Sequence, residues 1–259
     1  MSLNDGGLFK YLFTAESTNY FIFLFVFTLA VIASSYLLGS INSAIIVSRV
    51  VYHDDVRLHG SGNPGLTNML RTFGGAAAGL TLLGDFLKTA ISISIAGVLF
   101  GFNYVAGVST GMGMCYVAGL FAVIGHIAPI YYKFKGGKGV LTTAVTALIL
   151  TPIPFIVLFA LFATIVGISK YVSLGSVISA VFYPVILHAY FSLAFDISPS
   201  TPGLASLSTI VIAILIVYCH RGNLQRISNR TERKISFKKK AAPAPEVNTE
   251  AEDDNGSEE

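Results

Sequence analysis

"KGVLTTAVTALILTPIPFIVLFALFATIVGIS", residues 138–169, carries a charge at its first position and none after it. At its centre "TPIP", Thr151 to Pro154, puts two prolines within three positions, and proline ends or kinks a helix. Read as a tight turn, it divides the stretch into two short apolar spans, 138–151 and 153–169. Read as a kink, it leaves one bent helix. The first reading gives the chain an odd number of membrane spans and the second an even number.

The rest of the chain belongs to the same solvent. Apolar residues make up 53% and charged residues only 12% of 259 positions, against about a quarter charged in a soluble domain. Mean hydropathy is +0.69. These values exclude an ordinary soluble domain and predict an all-α integral membrane protein of one domain. Counted against the roughly 20 residues that cross a bilayer, the apolar runs fall at about 20–40, 76–100, 104–131, 138–151, 153–169, 172–194 and 204–220, which predicts seven transmembrane helices. The first run has no small-residue cleavage site and is read as a retained span. Residues 1–19 are then an extension outside the membrane, 20–235 the membrane domain, and 236–259 a tail, basic at Lys238 to Lys240 and acidic afterwards. Trp is absent, and 12 Tyr and 19 Phe supply the interfacial aromatics.

Lysine and arginine set the orientation. With the N-terminus outside and the C-terminus cytoplasmic, 15 of the 17 Lys and Arg fall in segments facing the cytoplasm, as the positive-inside rule requires. Lys88 lies within a span and Lys10 outside. Cys115 and Cys219 lie in different spans and suggest neither a disulfide nor a metal site.

On that topology the chemically competent groups gather on the inner side, in four segments. In "HGSGNPGLTNMLR", 59–71, Gly60, Gly62 and Gly65 allow backbone conformations closed to other residues. Ser61, Asn63, Thr67 and Asn68 stand among them, and Arg71 follows Thr67 by one helical turn. Donors of this kind beside a guanidinium form a cradle for phosphate. In "KFKGGKGVLTTA", Gly136, Gly137 and Gly139 let the backbone approach an anion, Lys138 adds charge, and a helix begins at the same place. The Walker spacing is absent. Lys133 and Lys135 read equally well as topogenic charges. Asp85 and Lys88 share one face of an otherwise apolar helix, either as functional intramembrane groups or as a pair whose lysine snorkels inward. Near the end, His220 supplies the one plausible base, with Asn223 a turn later and Glu232 beyond. His188 faces outward and reads as structural; His126, in the third span, is left open.

Taken in order, "GSI" (39–41), "DVRLHGSGNPGLTNMLR" (55–71), "LGDFLK" (83–88), "GHIAPIYYKFKGGKGV" (125–140) and "HRGNLQRISNRTE" (220–232) resemble the acyl-phosphate:glycerol-3-phosphate acyltransferases of bacterial membranes over about residues 20–235. The resemblance implies a seven-helix enzyme of the bacterial inner membrane with its active site facing the cytoplasm. It implies transfer of a fatty acyl group from acyl phosphate to the 1-hydroxyl of sn-glycerol 3-phosphate, giving lysophosphatidic acid and phosphate, the first step of phospholipid synthesis. By the same resemblance Ser61 and Arg71 are essential, Gly136, Gly137, Lys138 and Gly139 grip glycerol 3-phosphate, and His220 and Asn223 are important. Glu232 is structural or chemical, and Ser40 and Lys88 join the phosphate-binding set. Asn42, Ser43 and Ala44 depart from the family's usual Pro or Thr and Phe-Gly after "GSI", Leu66 replaces a small Ala, and Thr89 replaces Gly.

The chemistry agrees with the residues. An acyl phosphate is already activated, so the protein need mainly hold two anions together and stabilise the departing phosphate. That calls for no metal, no cofactor and no nucleic acid; the expected partners are the two substrates and membrane lipid, and no oligomeric state is assigned. A coenzyme A donor is disfavoured because none of the five histidines has an aspartate five residues on. The non-enzyme alternative is a transporter or channel for a phosphorylated anion, which predicts ionisable residues on both sides of the membrane.

Overall fold

The computed structural model describes Leu8 and residues 20–102, 110–195 and 203–235; the extension before 20, Asp196 and the tail from 236 lie otherwise outside the described residues. Within them all regular structure is helical: α1 Tyr20–Gly39, α2 Ser43–Val51, α3 Leu66–Phe73, α4 Gly75–Phe100, α5 Thr110–Ile127, α6 Val140–Leu150, α7 Pro152–Ser169, α8 Val172–Phe195, α9 Leu204–Cys219 and α10 Arg221–Ser228. Short 3-10 turns lie at Val56–Leu58 and Ile130–Tyr132.

Helix α5 is the post around which the others stand, touching α1, α4, α6 and α9. Its sequence explains why. Small residues let backbones approach where lipid offers no hydrophobic drive: a Cβ on Gly125 would collide with the backbone of α1 at Tyr36, and one on Gly39 with the backbone at Ala122. Around this crossing Tyr116, Val123, Val31, Ile93 and Leu187 are fully buried. Apolar side chains meanwhile face outward from α1, α4, α7 and α8, as expected of a surface bathed in lipid tails.

The TPIP segment breaks the chain into two helices. Thr151, at φ −143 and ψ 79, is not helical, and Pro152 opens α7, where its missing N–H costs nothing. Helix α6 has 11 residues, about 16 Å of rise, roughly half the bilayer's hydrocarbon thickness. Among the described residues, five segments are long and apolar enough to cross a membrane: 21–51, 75–100, 111–132, 152–169 and 172–194. A sixth arises if α9 and α10, bent by 52°, count as one span. The third run is shorter as a helix than the sequence suggests, because the chain leaves α5 after Ile127 for a 3-10 turn headed by Pro129; residues 103–109 lie outside the described residues.

Candidate active site

The first loop is built from its own polar side chains. Asn42 caps α2 by accepting from Ile45 N–H at 3.0 Å and donates to Pro64 O at 3.4 Å. Asp55 caps the next turn and binds Arg57 at 2.6 Å and Arg49 at 2.9 Å. The Arg57 guanidinium, with Arg49 adding to it, holds the Asp55 carboxyl well below the usual carboxylate range. Gly60 and Gly62 are left-handed, at φ 62 and 70. Asn68 receives the turn they make: its Oδ1 accepts from Ser61 N–H at 3.1 Å, and its Nδ2 donates to Val56 O at 3.1 Å and His59 O at 3.0 Å. The amide of Asn68 is therefore spent on shaping the loop. Ser61, Thr67 and Arg71 are exposed, and among the described residues no acidic group pairs with Arg71.

The glycine loop folds back along the end of α5. Gly136 N–H donates to Ile127 O at 3.1 Å and Gly137 N–H to His126 O at 3.0 Å. Lys133 and Phe134 turn through left-handed conformations, and Gly139, at φ 78, sets the start of α6. Lys138 is half-buried and donates to Asn223 Oδ1. Burial pushes its ammonium below the ordinary lysine value, and Glu232 pulls the other way.

Asn223 and Glu232 hold the segment after α9 against this loop. Glu232 accepts from Asn223 at 2.6 Å, Arg226 at 2.8 Å and Ser173 at 2.9 Å. Burial alone would raise its pKa; these three donors outweigh burial and hold the carboxyl below its ordinary value. Ile235 N–H then ties this segment to Lys170 O at 2.8 Å. Buried His220 lies within 2.8 Å of Ile216 O through Nδ1. A carbonyl only accepts, so Nδ1 carries the proton and Nε2 keeps its lone pair.

These segments enclose a cavity of about 650 Å³. Ser61, Arg71, Lys138, His220 and Asn223 all line it, with Gly60, Asn63, Gly65, Thr67, Asn68, Gly139, Asp85, His126 and Glu232. Gly62, Gly136 and Gly137 are not part of its lining. Ser40 is elsewhere, bonded to Tyr36 O at 2.8 Å and accepting from Ile130 N–H at 3.4 Å, and Lys88 faces the interior instead of the cavity. Lys88 does pair with Asp85, at 2.8 Å, but does not snorkel: its side chain is 3% exposed. The cavity continues between α6, α7 and α8 as a mainly apolar slot walled by Leu141, Ala144, Phe155, Leu158, Phe159 and Phe162, with Ser176, Ser179 and Tyr183 on its α8 side.

Sequence reasoning assigned no site role to Asn42, Ser43, Thr143 or Ser173. Ser43 donates to Asp85 at 3.0 Å, and a Cβ on Gly84 would lie 2.5 Å from its Oγ, so α2 and α4 cross there at contact distance. The apolar slot was missed too, since its walls look like any lipid-facing helix.

A helical, multi-pass membrane protein with a cationic cavity running into an apolar slot has counterparts among known proteins. Residues 29–230 match the glycerol-3-phosphate acyltransferase family. A glycerol-3-phosphate acyltransferase of Mycoplasmopsis agalactiae is 39% identical over 78% of this chain and 91% of its own length. That of Geobacillus kaustophilus is 36% identical over 81% and 97%. Crystal structures of PlsY (YgiH), an integral membrane glycerol 3-phosphate acyltransferase, in the glycerol 3-phosphate and lysophosphatidic acid forms, each superpose with a TM-score of 0.67. They are 30% and 29% identical and cover 81% of this chain and 96% and 95% of theirs. Fold and site thus define an integral membrane acyltransferase. The chain belongs to the glycerol-3-phosphate acyltransferase family.

Proposed function

We propose that the protein transfers a fatty acyl group from acyl phosphate to the 1-hydroxyl of sn-glycerol 3-phosphate, releasing lysophosphatidic acid and inorganic phosphate. The observation that carries this reading is the single cavity with two chemistries, cationic at one end and apolar at the other. A phosphate at the cationic end and an acyl chain along Phe155, Phe159 and Phe162 match an amphiphilic acyl phosphate. A second, water-soluble phosphate fits the polar groups that remain.

Arg71 and Lys138 neutralise the two phosphates, Ser61 and the Gly60 to Gly65 turn orient the donor, and the glycine loop receives glycerol 3-phosphate. The glycerol hydroxyl oxygen attacks the acyl carbonyl carbon, the carbon–oxygen bond to phosphate breaks, and phosphate leaves with the electron pair. The proton passes to Nε2 of His220 or to a substrate phosphate oxygen. Preorganised donors suit this reaction because charge moves onto the leaving phosphate. A Ser61 acyl-enzyme is disfavoured: among the described residues no base is bonded to its hydroxyl, as nucleophilic catalysis requires.

In the membrane the protein is proposed to span seven times, with the short α6 as the fourth span, the N-terminus outside, and the cavity open to the cytoplasm of a bacterial inner membrane. The inner clustering of Lys and Arg supports this orientation.

Purified protein in lipid, given acyl phosphate and glycerol 3-phosphate, is expected to release phosphate only when both are present. Uptake of labelled glycerol 3-phosphate into vesicles without acyl transfer would favour the transporter instead.

A further inference from the structure

Three side chains beneath the glycine loop have no part in the mechanism above. Lys88 is almost wholly buried, and its ammonium has three acceptors: Ile41 O at 2.8 Å, Asp85 Oδ1 at 2.8 Å and His126 Nδ1 at 3.0 Å. An ammonium has three protons, so each is used. Because Lys88 donates to Nδ1, the His126 ring carries its own proton on Nε2. The Nε2 edge is the one turned toward Gly137, where a Cβ would collide with it, while Gly137 N–H donates to His126 O at 3.0 Å. Asp85 is fixed in turn by Ser43 from α2. A buried network of this kind, with every proton of the ammonium used, rigidifies what rests on it.

From this geometry we infer that His126, held by Lys88 and Asp85, is a positioning residue: it is the backstop that fixes Gly137 and so sets where Lys138 meets the phosphate of glycerol 3-phosphate. The inference rests on the assignment of the glycine loop to that substrate. A Cβ at position 137 would meet His126 Nε2 at less than contact distance, although the φ of Gly137 is not left-handed. The constraint is the imidazole behind it.

The test is a double-mutant cycle on the full-length protein in lipid. Gly137→Ala is expected to lower kcat/KM by about a hundredfold, the scale of a misplacement of 1 Å. His126→Asn, which keeps an acceptor for Lys88 but is shorter toward Gly137, is expected to raise KM for glycerol 3-phosphate roughly tenfold and leave KM for acyl phosphate unchanged. His126→Gln, whose amide reaches the place of Nε2, should keep more of that affinity than Asn. The pair Gly137→Ala with His126→Asn should recover part of the loss, since the Cβ then has room; independent sites would instead show losses that multiply. Binding of labelled glycerol 3-phosphate, read apart from turnover, should follow the same order. If His126→Asn does not fold, Gly137→Ala alone against Gly137→Ala with His126→Ala makes the same comparison. Multiplying losses, or an equal rise in both KM values, overturns the positioning role while the transferase reading stands. A wild type that neither binds glycerol 3-phosphate nor turns over overturns both.

Discussion

Lys138 donates a hydrogen bond to Asn223, 85 positions later in the chain, and Asn223 passes its own N–H to Glu232 at 2.6 Å. The glycine loop and the segment after the last long helix are thereby one unit. The half-buried ammonium is aimed by an amide that is itself aimed by a carboxylate.

Lys138→Met removes the charge and keeps the length. It is expected to lower kcat by about a hundred- to a thousandfold, the cost of deleting one preorganised donor to developing charge. Asn223→Ala, which unties Lys138 without removing it, should cost less than Lys138→Met. Steady-state rates of the two variants in lipid check the order; equal losses would deny that Asn223 acts through Lys138.

Gly60→Ala places a Cβ against Asn68 Oδ1 at a left-handed position, φ 62. The loop that presents Ser61 must move, so activity should fall by about a hundredfold. Unfolding temperature should fall only modestly, because the loop is exposed. Asn68→Ala should reproduce the activity loss, since it releases the same turn; retention of full activity would contradict the scaffold role of Asn68.

Much of this was legible beforehand for a simple reason. Polar groups stand out in an apolar chain, so the segments carrying Ser61, Arg71, Lys138, His220 and Asn223 could be picked out without knowing the fold. Long apolar runs at 76–100 and 172–194 likewise correspond to α4 and α8 within a residue. Helices α2 and α3 fall outside the seven apolar runs because they are short and one-sided. Pairings such as Ser173 with Glu232, 59 positions apart, leave no local pattern. The departure at Asn42 and Ser43 was noticed in the sequence, but only the crossing of α2 over α4 shows what those side chains do.

Ala144 lines the apolar slot. Ala144→Phe should shorten the acyl chain the enzyme accepts, with the largest rise in KM for the longest acyl phosphates and little change in KM for glycerol 3-phosphate. A chain-length series with both proteins checks this; parallel profiles would place the acyl chain elsewhere.

Glu232 gives a signed dependence on pH. Its folded pKa lies below the ordinary value of 4.5, so the folded state binds fewer protons than the unfolded state in that range. Its contribution is fully present above about pH 4.5 and is lost as pH falls through the depressed folded value. Glu232→Gln should lower stability at neutral pH by about 1–2 kcal/mol, and the gap from wild type should close toward acid. Unfolding temperatures of both proteins in detergent between pH 7 and pH 3 measure it; a gap that widens toward acid would contradict the assignment.

The central claim is that two phosphorylated reactants meet in one cavity and react directly. Initial rates over a grid of acyl phosphate and glycerol 3-phosphate concentrations test it most directly. The account predicts intersecting double-reciprocal lines and no phosphate release from acyl phosphate alone. Parallel lines, with a burst of phosphate before glycerol 3-phosphate is added, would mean an acyl-enzyme and would contradict it.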